Sequence, residues 1–354
     1  MTGETMRADT QLAATQADFA LEDGERPLVV AVIPTYRAQL TLSRVVARAL
    51  EVVDYVIVVD DCCPEESSSQ IQETDKVRLI RHSVNRGVGG ATKTGILAAI
   101  DLDADIIVKI DSDDQMDVSY IPAMIDVFLT EARVDLVKGN RFADASTLRV
   151  MPVARLIGNA GLTLLVKICS GYWTIADPTN GFIAVRSDAL RKLDLEKLND
   201  RYFFEIDLLC AFGIGRRVIA EFEMPAIYNG GQSSLSIRTI LMSFPAKLLG
   251  RLIMRLLVQY VVVEINVGSL CGLLGFPIFI FALFFGGHEW YLSSATGVGR
   301  PTGTIVLALL LFIIGFQLSL QAILFDVQFS TRTIKVAAKH AQHALRKTLA
   351  RVER

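Results

Sequence analysis

The sequence predicts an α/β domain on a mostly parallel sheet, followed by two helices long enough to cross a membrane. Three observations lead there. Short β-branched runs alternate with helical patterns from Leu28 to Gly139. Those runs are mostly apolar on both faces, as in strands covered by helices on both sides. In the last third, Ile265 to Gly287 and Pro301 to Phe325 contain no Asp, Glu, Lys, Arg or His.

Composition narrows the class. Of 354 residues, 51% are hydrophobic, and the mean hydropathy of +0.40 is high for a purely soluble chain. Net charge is −2, with no basic cluster in the first 230 positions, which excludes a nucleic-acid surface as a partner. Five cysteines, with Cys62 and Cys63 adjacent and no CxxC pair, fit a reduced compartment. His288-Glu289 opens like a zincin motif, but Leu292 stands where the second histidine belongs.

Element by element, residues 1–26 are polar and acidic (Glu4, Asp9, Asp18, Glu22, Asp23, Glu25) and read as a mobile tail. An α/β domain spans 27–238, with strands at 28–33, 55–59, 77–80, 105–110 and 135–139 and helices near 39–52, 90–101 and 121–132. A juxtamembrane segment, 239–262, contains "AKLLGRLIMRLLVQY", in which Lys247, Arg251 and Arg255 recur every four residues opposite a leucine-rich face. Such a helix suits an anionic membrane lipid surface, apolar side down; docking on the α/β domain with a solvated basic stripe is the other reading. Spans follow at 263–287 and 302–326, each long enough for a hydrocarbon core of about 30 Å. The connecting loop, 288–301, holds one basic residue, Arg300, whereas the tail 327–354 carries Arg332, Lys335, Lys339, Arg346, Lys347, Arg351 and Arg354. That asymmetry places both termini in the cytoplasm and the loop outside. Gly268 and Gly272 have the spacing that lets spans pack closely.

In an open parallel sheet, ligands bind beyond the carboxyl ends of the strands. Five strand ends here are polar: Pro34-Thr35-Tyr36-Arg37, Asp60-Asp61, Asn85-Arg86-Gly87-Val88-Gly89-Gly90, Asp111-Ser112-Asp113-Asp114-Gln115 and Gly139-Asn140-Arg141. In "VKIDSDDQMD" four aspartates crowd behind an apolar strand. A divalent cation makes such crowding tolerable, and oxygen ligands from Asp111, Asp113 and Gln115 suit Mg2+ or Mn2+ with positions left for phosphate. The plainer alternative is a solvated turn whose aspartates cap the next helix. "GVGGATKT" (87–94) lacks the Walker glycine at Thr92, so a P-loop NTPase fits poorly. A dinucleotide fingerprint fails there too, and the glycines are expected to make a tight turn with close backbone approach to a ligand.

Taken together, PTYR (34–37), VVDD (58–61), NRGVGGA (85–91), DSDDQ (111–115), GNR (139–141), DPTNGF (177–182) and YFFEID (202–207) resemble inverting family 2 glycosyltransferases of the GT-A, Rossmann-like type. Within them the similarity is to the membrane-integrated polyprenyl-phosphate glycosyltransferases, relatives of dolichyl-phosphate mannose synthase. It covers roughly residues 28–330, and no Gln-x-x-Arg-Trp of the processive synthases occurs.

The resemblance implies that 27–238 is the catalytic domain and that the donor is a nucleotide-sugar and the acceptor a polyprenyl phosphate. Asp111, Asp113 and Gln115 would hold the metal. Pro34, Tyr36, Asp60 and Asp61, with Asp111, would bind the donor nucleotide. Arg141, Arg155 and Asn159 would receive the acceptor phosphate, with Asp113, Arg141 and Arg155 carrying catalysis. Arg37-Ala38 replace the Asn-Glu that the family often carries after Tyr, so this corner departs from the pattern. The resemblance and the glycine spacing also lean toward a homo-oligomer.

A phosphate monoester with a second pKa of about 6 is already ionised at neutral pH, so its transfer needs no general base. The demand is electrostatic instead: two anions must be brought together. Were the acceptor a hydroxyl, Glu205 and Asp207 would be the natural bases; otherwise they orient the sugar or serve structure. Arg238 either closes over the diphosphate or begins the interfacial basic stripe. A catalytically silent membrane scaffold is the remaining, non-enzymatic alternative.

Overall fold

A computed structural model describes residues 26–142, 153–224, 237–330 and 333–336, without the side chains of 153–155 and 237–242. The acidic tail expected at 1–26, apart from Arg26, lies outside the described residues, as do the side chain of Arg238 and the basic residues beyond 336.

In chain order the first half reads β1 (Val29–Thr35), α1 (Leu42–Leu50), β2 (Tyr55–Asp60), a 3-10 turn (Ser67–Gln70), β3 (Val77–Arg81), α2 (Val88–Asp101), β4 (Ile106–Lys109), α3 (Ile121–Thr130) and β5 (Val134–Asn140). The second half adds α4 (Val153–Ser170), β6 (Ile183–Arg186), α5 (Ser187–Arg191), α6 (Phe204–Ile214), β7 (Val218–Glu223) and α7 (Ile237–Leu257). A π-helical turn (Val258–Val263), α8 (Val267–Thr296), α9 (Thr302–Gln328) and β8 (Thr333–Val336) complete it.

Eight strands form one sheet in the order β3-β2-β1-β4-β6-β5-β7-β8. Pairing is parallel except along β6, which runs antiparallel to β4 and β5. The order reverses at β1, whose neighbours are β2 and β4, and a crevice at such a switch point is where open α/β sheets bind ligands. Pro34 shows how the crevice opens. The Val32 carbonyl accepts from Ile110 of the β4 side at 3.0 Å, so residue 34 also faces β4. The β1–β4 ladder ends at Val32–Lys109, so proline's missing N–H forfeits no ladder bond.

The central strands β1, β2 and β4 are buried on both faces, and side chains two apart share a face. Val30, Val32, Ile57 and Val59 pack with Ala91 and Ile96 of α2 and Phe204 and Phe212 of α6. Val29, Ala31, Ile33, Val56 and Val58 pack with Leu42 and Val45 of α1 and Met124 and Phe128 of α3.

The juxtamembrane helix departs from expectation. Phe244 and Leu248 of α7 enter the core. Arg251 pairs with Asp207 at 2.5 Å and Arg255 with Asp326 at 2.7 Å, both turned inward rather than toward headgroups. The outward side carries Leu249, Ile253, Met254, Leu256 and Leu257. Buried carboxylates thus win the arginines over solvent, and the helix docks on the domain with its basic stripe covered.

Both α8 and α9 are long and apolar enough to cross a membrane. Continuous helix to Thr296 absorbs most of the loop expected at 288–301, leaving Gly297–Pro301 as the connection, with Gly297 in the left-handed conformation that caps helices. Gly275 and Gly315 let the two backbones touch: a Cβ on Gly275 would lie 2.6 Å from the Ser319 nitrogen, and one on Gly315 2.4 Å from the Phe279 nitrogen. Gly268 and Gly272 also face α9, toward Phe325 and Ala322, so this spacing serves packing within the chain. After α9 the chain returns, and β8 pairs parallel with β7 at the sheet edge.

Candidate active site

The acidic loop after β4 divides into two halves. Asp114, held at φ 59°, pairs with Arg44 at 2.8 Å and Arg48 at 3.1 Å. Asp117 pairs with Arg48 at 3.0 Å and accepts the Ser119 N–H at 3.1 Å, capping the 3-10 turn Val118–Tyr120. Here the capping alternative holds. Asp111 and Asp113 are left facing the crevice edge.

Asp111 accepts from Lys109 Nζ at 2.6 Å, and Lys109 also pairs with Glu205 at 2.9 Å. Lys109 is 2% exposed; burial alone would lower its pKa, but the two carboxylates outweigh burial and hold it above its usual value. Gly181 backs this trio, for a Cβ there would come 2.6 Å from Lys109 Nζ and 3.1 Å from Asp111 Oδ2. Asp113 accepts the Gln115 backbone N–H at 3.1 Å. Among the described residues no lysine or arginine pairs with it. Desolvation first, and the Asp111 carboxylate second, push its carboxyl up.

This donor set fits a hard divalent ion. Asp111, Asp113 and Gln115 offer oxygen, and the mutual repulsion of the two carboxylates is what a cation relieves. Among the described residues no three His, Cys, Asp or Glu side chains group closely enough to enclose an ion.

Across the same sheet edge, β5 delivers Arg141. Its Nε donates to Asp177 Oδ2 at 2.8 Å and its Nη2 to Oδ1 at 3.1 Å, while its backbone N–H reaches Oδ2 at 3.2 Å. Asp177 is wholly buried; its own backbone N–H and that of Ala176 donate to Glu221 at 3.0 and 2.7 Å. The DPTNG turn is thus a mount for the arginine. Asn180 completes it, donating to the Gly139 carbonyl at 2.8 Å and accepting from Phe182 at 3.1 Å. Lys138 lies beneath, donating to the Asn180 carbonyl; burial pushes it down to about 8, against the pull of Asp177 and Glu205. Arg155 and Asn159 are one helical turn apart on α4; the Arg155 side chain is outside the described residues and Asn159 is half-buried.

On the donor side, Pro34 is buried at the end of β1 and Tyr36 is exposed beyond it, with the Arg37 guanidinium 5.4 Å from its ring centre. Asp60 and Asp61 are both buried and committed to loops. Asp60 accepts from the Cys63 N–H at 2.8 Å and from the Ser68 hydroxyl. Asp61 accepts the backbone N–H groups of Arg86 at 2.8 Å and Gly87 at 2.6 Å, and bonds His82 Nδ1 at 2.8 Å. Beyond the nucleotide contacts expected of them, these oxygens fold the 63–68 and 85–87 loops around the crevice. The glycine stretch is corrected: its close approach is to the protein itself. A Cβ on Gly89 would lie 2.4 Å from the Asn199 carbonyl oxygen, and Gly90 N–H donates to Asp200 at 2.9 Å. Lys93 pairs with Asp200 at 2.6 Å and donates to the Leu198 carbonyl at 2.8 Å, so it is no phosphate-binding lysine.

Sequence reasoning missed Lys109, Lys138 and the Arg141 mount at Asp177. The signal was present: a lysine inside an otherwise apolar central strand requires a buried partner.

A family model described as glycosyl transferase family 2 matches residues 30–194. The chain is 29% identical over 219 residues to a UDP-N-acetylglucosamine–dolichyl-phosphate N-acetylglucosaminyltransferase of Methanococcus voltae, spanning 57% of this chain and 86% of that one. It is 26% identical over 219 residues to an undecaprenyl-phosphate mannosyltransferase of Micrococcus luteus, spanning 59% and 87%. To a dolichol-phosphate mannosyltransferase of Pyrococcus furiosus it is 26% identical over 186 residues, spanning 50% and 51%.

Proposed function

From the premise that this chain carries a glycosyl transferase family 2 domain and is a glycosyltransferase, we propose that it moves a sugar, with inversion, from a nucleotide-sugar to a polyprenyl phosphate. The reaction uses Mg2+ or Mn2+ at the cytoplasmic face of a membrane. The observation that carries this reading is that one sheet edge presents both the adjacent carboxylates of Asp111 and Asp113, whose repulsion helps raise the Asp113 pKa, and a mounted arginine, Arg141. The relatives named for polyprenyl-phosphate acceptors supply the acceptor class.

Each residue then has a task. Tyr36, exposed at the mouth of the crevice, offers a stacking face to the nucleotide base, and Pro34 walls the crevice behind it. Asp111, Asp113 and Gln115 would hold the metal, with Lys109 fixing Asp111. The ion, when bound, supplies charge compensation for the departing nucleoside diphosphate. Arg141, with Arg155 and Asn159 from α4, orients the acceptor phosphate. A phosphate oxygen then displaces the diphosphate at the anomeric carbon in one step, and no proton has to move.

A hydroxyl acceptor would need a base, and both candidates are engaged: Glu205 with Lys109 at 2.9 Å, and Asp207 with Arg251 at 2.5 Å and the Asn199 N–H at 2.8 Å. The chain path supports placement at the membrane. The α7 helix leads into α8, and β8 after α9 rejoins the sheet, so α8 and α9 form a hairpin with both open ends on the domain side. Lys335, on β8 at that side, supports a cytoplasmic domain.

The test is transfer from a panel of labelled nucleotide-sugars to polyprenyl phosphate by purified protein with Mn2+ or Mg2+. A glycosylated lipid that is alkali-stable only as expected for a sugar-phosphodiester is the expected product. Labelling of hydroxyl acceptors instead, or binding of no nucleotide at all, overturns the proposal.

A further inference from the structure

A carboxylate sits at the end of the second apolar helix, at Asp326, where a charge is costly unless paired. It is 8% exposed and takes four donors. Asp326 Oδ1 accepts from Arg255 Nη1 at 2.7 Å and from the Tyr260 hydroxyl at 2.6 Å. Its Oδ2 accepts from Arg255 Nη2 at 3.0 Å and from Trp173 Nε1 at 3.0 Å. Every partner donates, so only an acceptor-only group with two oxygens satisfies them all.

The donors come from different parts of the molecule. Arg255 is on α7 and also donates to the Ile168 carbonyl, in the last turn of α4, at 2.8 Å. Tyr260 belongs to the π-helical turn leading into α8, whose neighbour Gln259 donates to the Gly213 carbonyl of α6 at 2.7 Å. Trp173 lies in the short segment between α4 and the DPTNG turn, four residues before Asp177. Gly171 admits the guanidinium: it has φ +79°, and a Cβ there would be 2.8 Å from Arg255 Nη1. One carboxylate therefore ties α9 to α7, to the end of α4 and to the segment that mounts Arg141.

We propose that Asp326 is a positioning residue for the lipid acceptor. By holding α4 and the 171–177 segment against the apolar hairpin, it sets the height of the acceptor-phosphate site above the plane where the isoprenoid chain lies. This rests on the acceptor assigned above. A long-chain acceptor is anchored in the bilayer, so its phosphate arrives at a fixed depth and Arg141 must meet it there. A short, water-soluble prenyl phosphate has no such constraint.

The experiment compares wild type with D326N, using a bilayer-borne long-chain polyprenyl phosphate and a short-chain soluble prenyl phosphate. A misplacement of about 1 Å costs on the order of 10²-fold, so kcat/KM for the long-chain acceptor is expected to fall about ten- to a hundredfold. The short-chain value and the nucleotide Kd should stay within about twofold of wild type, and D326E should restore part of the long-chain rate. Amide exchange over 171–177 should rise without a rise over 55–60. If D326N loses nucleotide binding, and so has failed to fold, Trp173→Phe removes one donor while leaving the ion pair, and the same chain-length-selective loss is expected. Equal losses with both acceptors, or none, overturn the inference. If wild type transfers to neither acceptor, the proposed function falls instead; unchanged exchange over 171–177 in D326N then overturns the clamp as well, and increased exchange supports it.

Discussion

Replacing Asp177 by asparagine separates the mount from the arginine it carries. The side chain keeps its shape, but one oxygen becomes an NH2 that faces a guanidinium already donating to it at 2.8 and 3.1 Å. At least one charge-assisted hydrogen bond is lost, worth about 1.5–3 kcal/mol. Arg141 is 38% exposed, so water recovers part of it and the lower end applies. About 1.5 kcal/mol of lost placement in the transition state corresponds to roughly a tenfold fall in kcat/KM for polyprenyl phosphate. The nucleotide Kd should not change, because the Arg141–Asp177 pair is on the β5 side of the crevice. Arg141→Ala should cost more, and the decisive measurement is the double variant. If Asp177 acts through Arg141, adding D177N to R141A lowers transfer no further. Additive losses would refute the mount and give Asp177 an independent role.

Three further outcomes follow from the geometry. Chelation should abolish transfer and Mn2+ restore it, and Asp113→Ala should lose Mn2+-dependent nucleotide-sugar binding while its melting temperature moves little; wild-type turnover by that variant removes the metal reading. Gly89→Ala drives a Cβ to 2.4 Å from the Asn199 carbonyl oxygen, an overpacking that should destabilise by about 1–3 kcal/mol and lower the melting temperature. Lys138 is pushed from 10.5 down to about 8 in the fold. Between those values the unfolded chain binds the extra proton, so stability should rise with pH across that window by up to about 3 kcal/mol. Melting curves of wild type should show the rise and Lys138→Met should lack it.

The alternating strands and helices were legible because buried parallel strands are near-continuous apolar runs, as "YVIVV" is and as "DIIVKI" is apart from Asp105 and Lys109. The polar strand ends named the crevice for the same reason: after β1, β4 and β5 the chain leaves the sheet at one edge. What was not legible depends on partners far away in sequence. Asp111 and Asp114 look alike in "DSDD", yet Arg44 and Arg48 on α1 claim Asp114, while Lys109 and Glu205 frame Asp111. The stripe Lys247, Arg251, Arg255 has the same pattern whether it meets headgroups or carboxylates. Asp207 and Asp326 decide, and a lone acid at the end of an apolar helix was the available hint. Asp60 and Asp61 illustrate a third limit: that paired acids at a strand end also fold loops is visible only in the positions of Ser68, Arg86 and Gly87.

In the proposed reaction, Asp113 is the residue on which the metal reading turns. Around the sheet edge, Asp111 has Lys109, Asp114 has Arg44 and Arg48, Asp117 has Arg48, Asp177 has Arg141 and Glu205 has Lys109. Asp113 is exposed, and desolvation and the Asp111 carboxylate raise its pKa against the pull of Lys109. On the proposed reading, a cation arriving with the donor relieves that repulsion. Arg141 is itself held by Asp177. The proposed function accordingly has the two anionic reactants gripped separately, the diphosphate on the Asp111–Asp113 side and the acceptor phosphate at Arg141, before they meet.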